Sequence, residues 1–124
     1  MSSDRYERGL AIRTEVMGEE FVERAMQGAS EFTRPLQQYL NENCWGTTWD
    51  RGGLPRNVRS LVTIAMLAAL KCPQEIKGHV RGALRNGCTQ EEIREVLLHA
   101  AVYCGAPAAL DAFRAAREVI DATE

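Results

Sequence analysis

Apolar positions along this chain recur at three- and four-residue intervals, and nowhere do they alternate with polar ones over the length of a strand. Ala, Leu, Glu and Arg, all good helix formers, dominate the periodic stretches. The pattern predicts an all-α protein of about six to seven helices. A first helix runs from about Asp4 to Met17, with Tyr6, Leu10, Val16 and Met17 apolar and Gly18 as its stop. A short second helix covers Glu19 to Gln27. Thr33 caps a third, with Pro35 in its first turn and Leu36, Tyr39 and Leu40 turned inward. The run CWGTTWDRGG, Cys44 to Gly53, fits neither period and is expected to be irregular.

Pro55 opens a fourth helix that reaches about Lys71, and Pro73 opens a fifth that stops at Asn86-Gly87. Thr89 and Glu92 form a capping box for the sixth, which ends near Cys104 ahead of Gly105. The last helix, Pro107 to about Ala122, sets Leu110, Phe113, Ala116 and Ile120 along one side. No linker, low-complexity tract or repeat interrupts the series, so residues 1–124 are expected to form a single domain. Within the fourth helix, Leu61 to Leu70 leaves no polar face, and a helix apolar all round must be surrounded. Either this helix is central to a monomer's core or part of its surface meets another subunit. The same run is about half the length a membrane span needs, so no membrane partner is expected.

Charge narrows the partners. Fifteen basic residues against seventeen acidic ones give a net charge of −2, which leaves no footprint for nucleic acid. An anionic ligand must therefore be held by a local cluster. The opening MSSDRYERGL has no signal-peptide core, and a cytoplasmic protein is expected. Cys44, Cys72, Cys88 and Cys104 make no C-x-x-C pair, so no metal site or dithiol motif is expected, only reduced and mostly buried thiols.

Candidate chemistry gathers at two places. On the fifth helix Glu75 and His79 stand four residues apart, hence on one face, with His79 at the edge of the stripe Ile76, Val80, Ala83 and Leu84. A carboxylate beside an imidazole fixes its tautomer and raises its pKa, which suits proton transfer near neutral pH. The flanking Gly78 and Gly82 each cost about 1 kcal/mol inside a helix, which points to a close approach by another helix or by a ligand. The alternative is a structural Glu-His pair beside a tight helix crossing. At the start of the fourth helix, Arg56 and Arg59 oppose the macrodipole, and their forks added to free N–H groups suit a carboxylate or phosphate. The alternative is surface pairing with Asp50 or Glu31. Trp45 and Trp49 either wall a pocket or plug a core edge, and His99, four residues after Glu95, reads as a core-edge or interface histidine.

The runs LPRNVRSLVTIAMLAAL and EIKGHVRGALRNGCTQEEIREVLLHAAVYCGAPAAL, with GLAIRTEVMG and CWGTTWDRGGLP before them, resemble the carboxymuconolactone decarboxylase family over nearly the whole chain. His79, Ala83, Gly87 and Thr89 match an element shared across the superfamily; CWG-x-x-W and LPR-x-x-RSL are more specific to its decarboxylase branch. Alkylhydroperoxidases of the same superfamily carry C-x-x-C before the histidine. Here Cys72 holds the first position but Glu75 replaces the second cysteine, which removes the resolving thiol.

The resemblance implies an alkylhydroperoxidase-like helical protomer assembled into a ring-shaped homohexamer. It implies cofactor-independent decarboxylation of 4-carboxymuconolactone to the 3-oxoadipate enol-lactone, in protocatechuate breakdown through the β-ketoadipate pathway. Such a substrate is an unsaturated γ-lactone bearing two carboxylates, and the electrons left by carbon dioxide flow into its own lactone carbonyl as a dienolate. In this reading Arg56 and Arg59, with Trp45 and Trp49, bind substrate. His79 delivers a proton or stabilises the oxyanion, and Glu75 orients His79 or delivers the proton itself. A thiol peroxidase or reductase and a non-catalytic oligomeric binding protein are the alternatives.

Overall fold

The computed structural model describes residues 3–123, and these are helical with no strand among them. The chain divides into two compact units, one running up to Leu54 and the other starting at Pro55. In the first, helices α1 (Asp4–Met17), α2 (Glu19–Gln27) and α3 (Arg34–Tyr39) lead into a π-helical segment, Leu40–Thr48. The Ser3 hydroxyl accepts from the Tyr6 N–H at 3.1 Å and caps α1, which stops where Gly18 takes φ +97°. The core of this unit is Ile12, Val16, Met17, Val22, Trp45 and Trp49. α1 packs along the π-helical segment so closely that a methyl group at Gly9 would run into the Asn41 backbone carbonyl.

Two expectations fail here. The stretch from Cys44 is not irregular at its start: it stays wound through Thr48, and the Trp49 N–H donates to the Cys44 carbonyl at 3.0 Å, five residues back. Wider winding of this kind escapes a search for 3.6-residue periodicity. Nor do Leu36 and Tyr39 turn inward, being 55% and 61% exposed. The six-residue α3 buries no side chain.

The second unit holds α4 (Arg56–Ala69), α5 (Pro73–Arg85), α6 (Gln90–Cys104) and α7 (Ala106–Thr123). α4 packs against α5 and α6, and both of these pack against α7. The expected capping box is present: the Thr89 hydroxyl accepts from the Glu92 N–H at 3.0 Å, and the Glu92 carboxylate accepts from the Thr89 N–H at 2.8 Å. Ile64, Ile76, Val80, Ile93 and Leu97 are the large side chains at the centre of the core.

Leu110, Phe113, Ala116 and Ile120 do lie along one side of α7, but the helix meets the core mainly through its alanines. Its buried residues are Ala108, Ala109, Ala112, Ala115, Ala116 and Val119, whereas Leu110 is 54% exposed and Phe113 and Ile120 are only partly buried. Helices α5 and α6 both lie against α7, and alanines let backbones approach where leucines would hold them apart. α4 buries Ser60, Ile64 and Ala68 but leaves Met66 61% exposed, and Leu70 just past its end is 72% exposed, so the chain by itself does not surround this helix. The thiols are less buried than expected: all four are free, Cys88 is buried, Cys44 and Cys72 are intermediate and Cys104 is exposed.

Candidate active site

Four of the six candidate residues stand on the packed helices α4 and α5 of the second unit. α4 starts behind Pro55, whose extended backbone (φ −67°, ψ 157°) sets the chain up for its first turn. That turn carries Arg56 and Arg59, both partly buried. The Arg59 N–H donates to the Pro55 carbonyl at 3.1 Å, and the Arg59 carbonyl accepts from the Thr63 hydroxyl at 2.8 Å, so the turn that presents the guanidinium groups is itself held. Asp50, one of the two candidate surface partners, pairs with Arg8 at 3.1 Å.

On α5, Pro73 opens the helix and Glu75 lies in its first turn, exposed to solvent. His79 is one turn further on, between the buried Gly78 and Val80. Burial pushes its imidazole pKa down to about 4. This overturns the expectation that Glu75 raises it. The i,i+4 spacing does place both residues on one side of α5, but the carboxylate stays in water, where its field is screened, while the imidazole is drawn towards the apolar stripe. His79 is therefore neutral at physiological pH. A neutral imidazole in a dry setting can donate a hydrogen bond to a developing oxyanion, and it gains proton affinity when an anion binds beside it.

Trp45 and Trp49 belong to the first unit. Their rings stack with centroids 4.8 Å apart and an interplanar angle of 29°, and they are 5% and 7% exposed. That burial matches the core-plugging alternative rather than an open aromatic wall. The same unit contains a buried cation that the sequence pattern did not single out. Arg13, 6% exposed, donates from Nη1 to Gln37 Oε1 at 2.8 Å and to Asn41 Oδ1 at 2.9 Å. Its place on the buried face of α1, one position after Ile12 and three before Val16, was the available signal.

His99 is exposed on α6, not at a core edge, and its ring lies 4.9 Å from that of Tyr103. The two line an apolar groove of about 620 Å³ with Leu61, Val62, Ala65 and Val96. Cys72 caps α5, and its Sγ lies 3.6 Å from the Leu70 carbonyl. Among the described residues no group of three or more His, Cys, Asp or Glu side chains is placed to hold a metal ion. Among them, too, no helix is long and apolar enough to cross a membrane.

The sequence profile of the carboxymuconolactone decarboxylase family matches residues 34–118. A nitrosuccinic acid decarboxylase of Metarhizium robertsii is 44% identical over 116 residues, which cover 94% of this chain and 81% of that protein. A 4-carboxymuconolactone decarboxylase of Acinetobacter baylyi is 44% identical over 115 residues, 93% of this chain and 86% of its own. A shorter match, 40% identical over 50 residues, is to an uncharacterized protein of the cox locus of Paracoccus denitrificans. The profile takes in residues of both compact units and the two long relatives agree over nearly the whole chain; this protein is a member of the carboxymuconolactone decarboxylase family.

Proposed function

We propose that this chain catalyses cofactor-independent decarboxylation of 4-carboxymuconolactone to the 3-oxoadipate enol-lactone, as a cytoplasmic enzyme of protocatechuate catabolism. It is an enzyme of the carboxy-lyase class, as both long relatives are by name. The observation that carries the reading is the desolvated, neutral His79 on α5, packed beside the helix whose first turn bears Arg56 and Arg59. Arginine forks are the side chains best suited to hold the substrate's two carboxylates. As the carbon–carboxylate bond breaks, its electron pair passes through the ring alkene to the lactone carbonyl, and carbon dioxide leaves. His79 donates a hydrogen bond to the resulting dienolate oxygen. The bound negative charge raises its proton affinity, so that it takes up a proton and returns one to carbon. Glu75, one turn away and in water, is the route by which His79 is reprotonated from solvent.

In this reading residues 1–124 are a single carboxymuconolactone decarboxylase-like domain. Trp45 and Trp49 belong to the substrate-binding set of this reading, their stacked rings being buried in the first unit. The assembly is a homohexameric ring, a proposal supported by Val62, Met66, Leu70, Val102 and Tyr103, all exposed on one chain and apolar enough to seek a partner.

A second substrate reading has its own support in the nitrosuccinic acid decarboxylase relative. Nitrosuccinic acid also carries two carboxylates and its own electron sink, a nitro group in place of a lactone carbonyl. Purified protein mixed separately with 4-carboxymuconolactone and with nitrosuccinate, without added cofactor, tests both. Loss of lactone absorbance with release of carbon dioxide is the expected result, and His79→Ala should lower kcat at least about 100-fold while the far-ultraviolet circular dichroism stays helical. Turnover of neither compound, or full activity in the variant, overturns the assignment.

A further inference from the structure

The large apolar side chains of α7, one exposed and two packed partly against the core, gather at a groove between α6 and α7. Leu110, Phe113 and Ile120 form an apolar wall to a cavity of about 410 Å³. Arg94 of α6 and Arg114 and Arg117 of α7 stand around it, against one carboxylate, Asp121. Arg114 pairs with Asp111 at 2.9 Å and Arg117 with Asp121 at 3.2 Å, but these arginine side chains are 71% and 81% exposed. Exposed pairs of this kind contribute little and exchange readily for another anion. Arg94 has no hydrogen bond or ion pair among the described residues. None of Arg56, Arg59, Glu75 and His79 lines the groove, so it is separate from the residues assigned to decarboxylation.

We propose that the α6–α7 groove is a binding site for a small aromatic carboxylate. The ring lies against Phe113 and Leu110, and the carboxylate is taken by the arginines at the rim. The volume falls in the range of single small-molecule sites. With Asp111 and Asp121 set against the three arginines the groove keeps about one net positive charge, which suits a single carboxylate. A second copy of the chain placed there across a two-fold axis would set like charge against like. An aromatic carboxylate satisfies both halves of the lining at once, whereas an uncharged ring leaves the arginines unused and a bare anion leaves the apolar wall wet.

The test uses the full-length protein and 2-naphthoate, whose fluorescence reports binding, with 2-naphthamide lacking the charge and acetate lacking the ring. Saturable binding of 2-naphthoate is expected, at least about tenfold tighter than the amide and weakened by added salt. Arg94→Glu and Leu110→Asp, both at exposed positions, should each weaken it about tenfold or more. Decarboxylation, circular dichroism and the mass from light scattering should not change. The proposal fails if titration does not saturate or if the amide binds as well as the acid. It also fails if both groove variants bind normally while Arg56→Ala does not, which places the ligand at the decarboxylation residues. A change of assembly mass in either groove variant makes the groove a subunit contact instead.

Discussion

Acidification should cost this protein stability through His79 in particular. The group's folded pKa is about 4, against 6.5 for an unperturbed histidine. Between those values the unfolded chain binds the proton and the folded chain does not, so unfolding takes up a proton and stability falls as pH falls. The loss begins below 6.5 and is complete near 4. One pKa unit is worth about 1.4 kcal/mol, so the full effect is about 3 kcal/mol. That is a large share of the roughly 5–15 kcal/mol that holds a domain of this size together. Urea unfolding at a fixed protein concentration, at about pH 7, 5.5 and 4, measures it in the wild type and in His79→Gln, which cannot titrate. Carboxylate protonation is common to both, and the difference between the two pH profiles isolates the imidazole. Parallel profiles, or a His79 resonance titrating near 6.5 in a nuclear magnetic resonance experiment, would show that the imidazole is not desolvated and remove the basis for its role.

The close crossing of α1 and the π-helical segment predicts that Gly9→Ala lowers stability by several kcal/mol, seen as a fall in thermal midpoint, because the obstacle is the Asn41 backbone and cannot swing aside; an unchanged melt contradicts the packing. Cys72→Ser should leave decarboxylation largely intact under strong reducing conditions, since the Glu75 replacement leaves no C-x-x-C partner; lost activity would revive a thiol mechanism. Met66→Lys, at a position 61% exposed on the single chain, should lower the light-scattering mass from that of an oligomer towards the 13.8 kDa chain, because an unpaired ammonium in an interface costs several kcal/mol. A wild type already at 13.8 kDa refutes the assembly outright.

The helices themselves were legible in the sequence, because what starts and stops them is local. Gly18 at the end of α1, Pro73 at the head of α5, and the Thr89–Glu92 box of α6 each act within one turn, and the observed bounds follow them. The motifs around Arg56, Arg59 and His79 were legible for the same reason, and they led to the family. What tertiary structure decided is which side of each element meets other protein and which meets water. Nothing in the spacing of Leu110, Phe113 and Ile120 reveals that two helices crowd α7 so closely that the alanines win the core. Nor does the π-helical winding of Leu40–Thr48 announce itself, since it is seated against the α1 backbone at Gly9, more than thirty residues earlier. Glu75 and His79 show the limit most plainly. Their separation of four residues settles that they share a face, but the charge on the imidazole depends on the medium around it, and neighbours remote in sequence supply that medium.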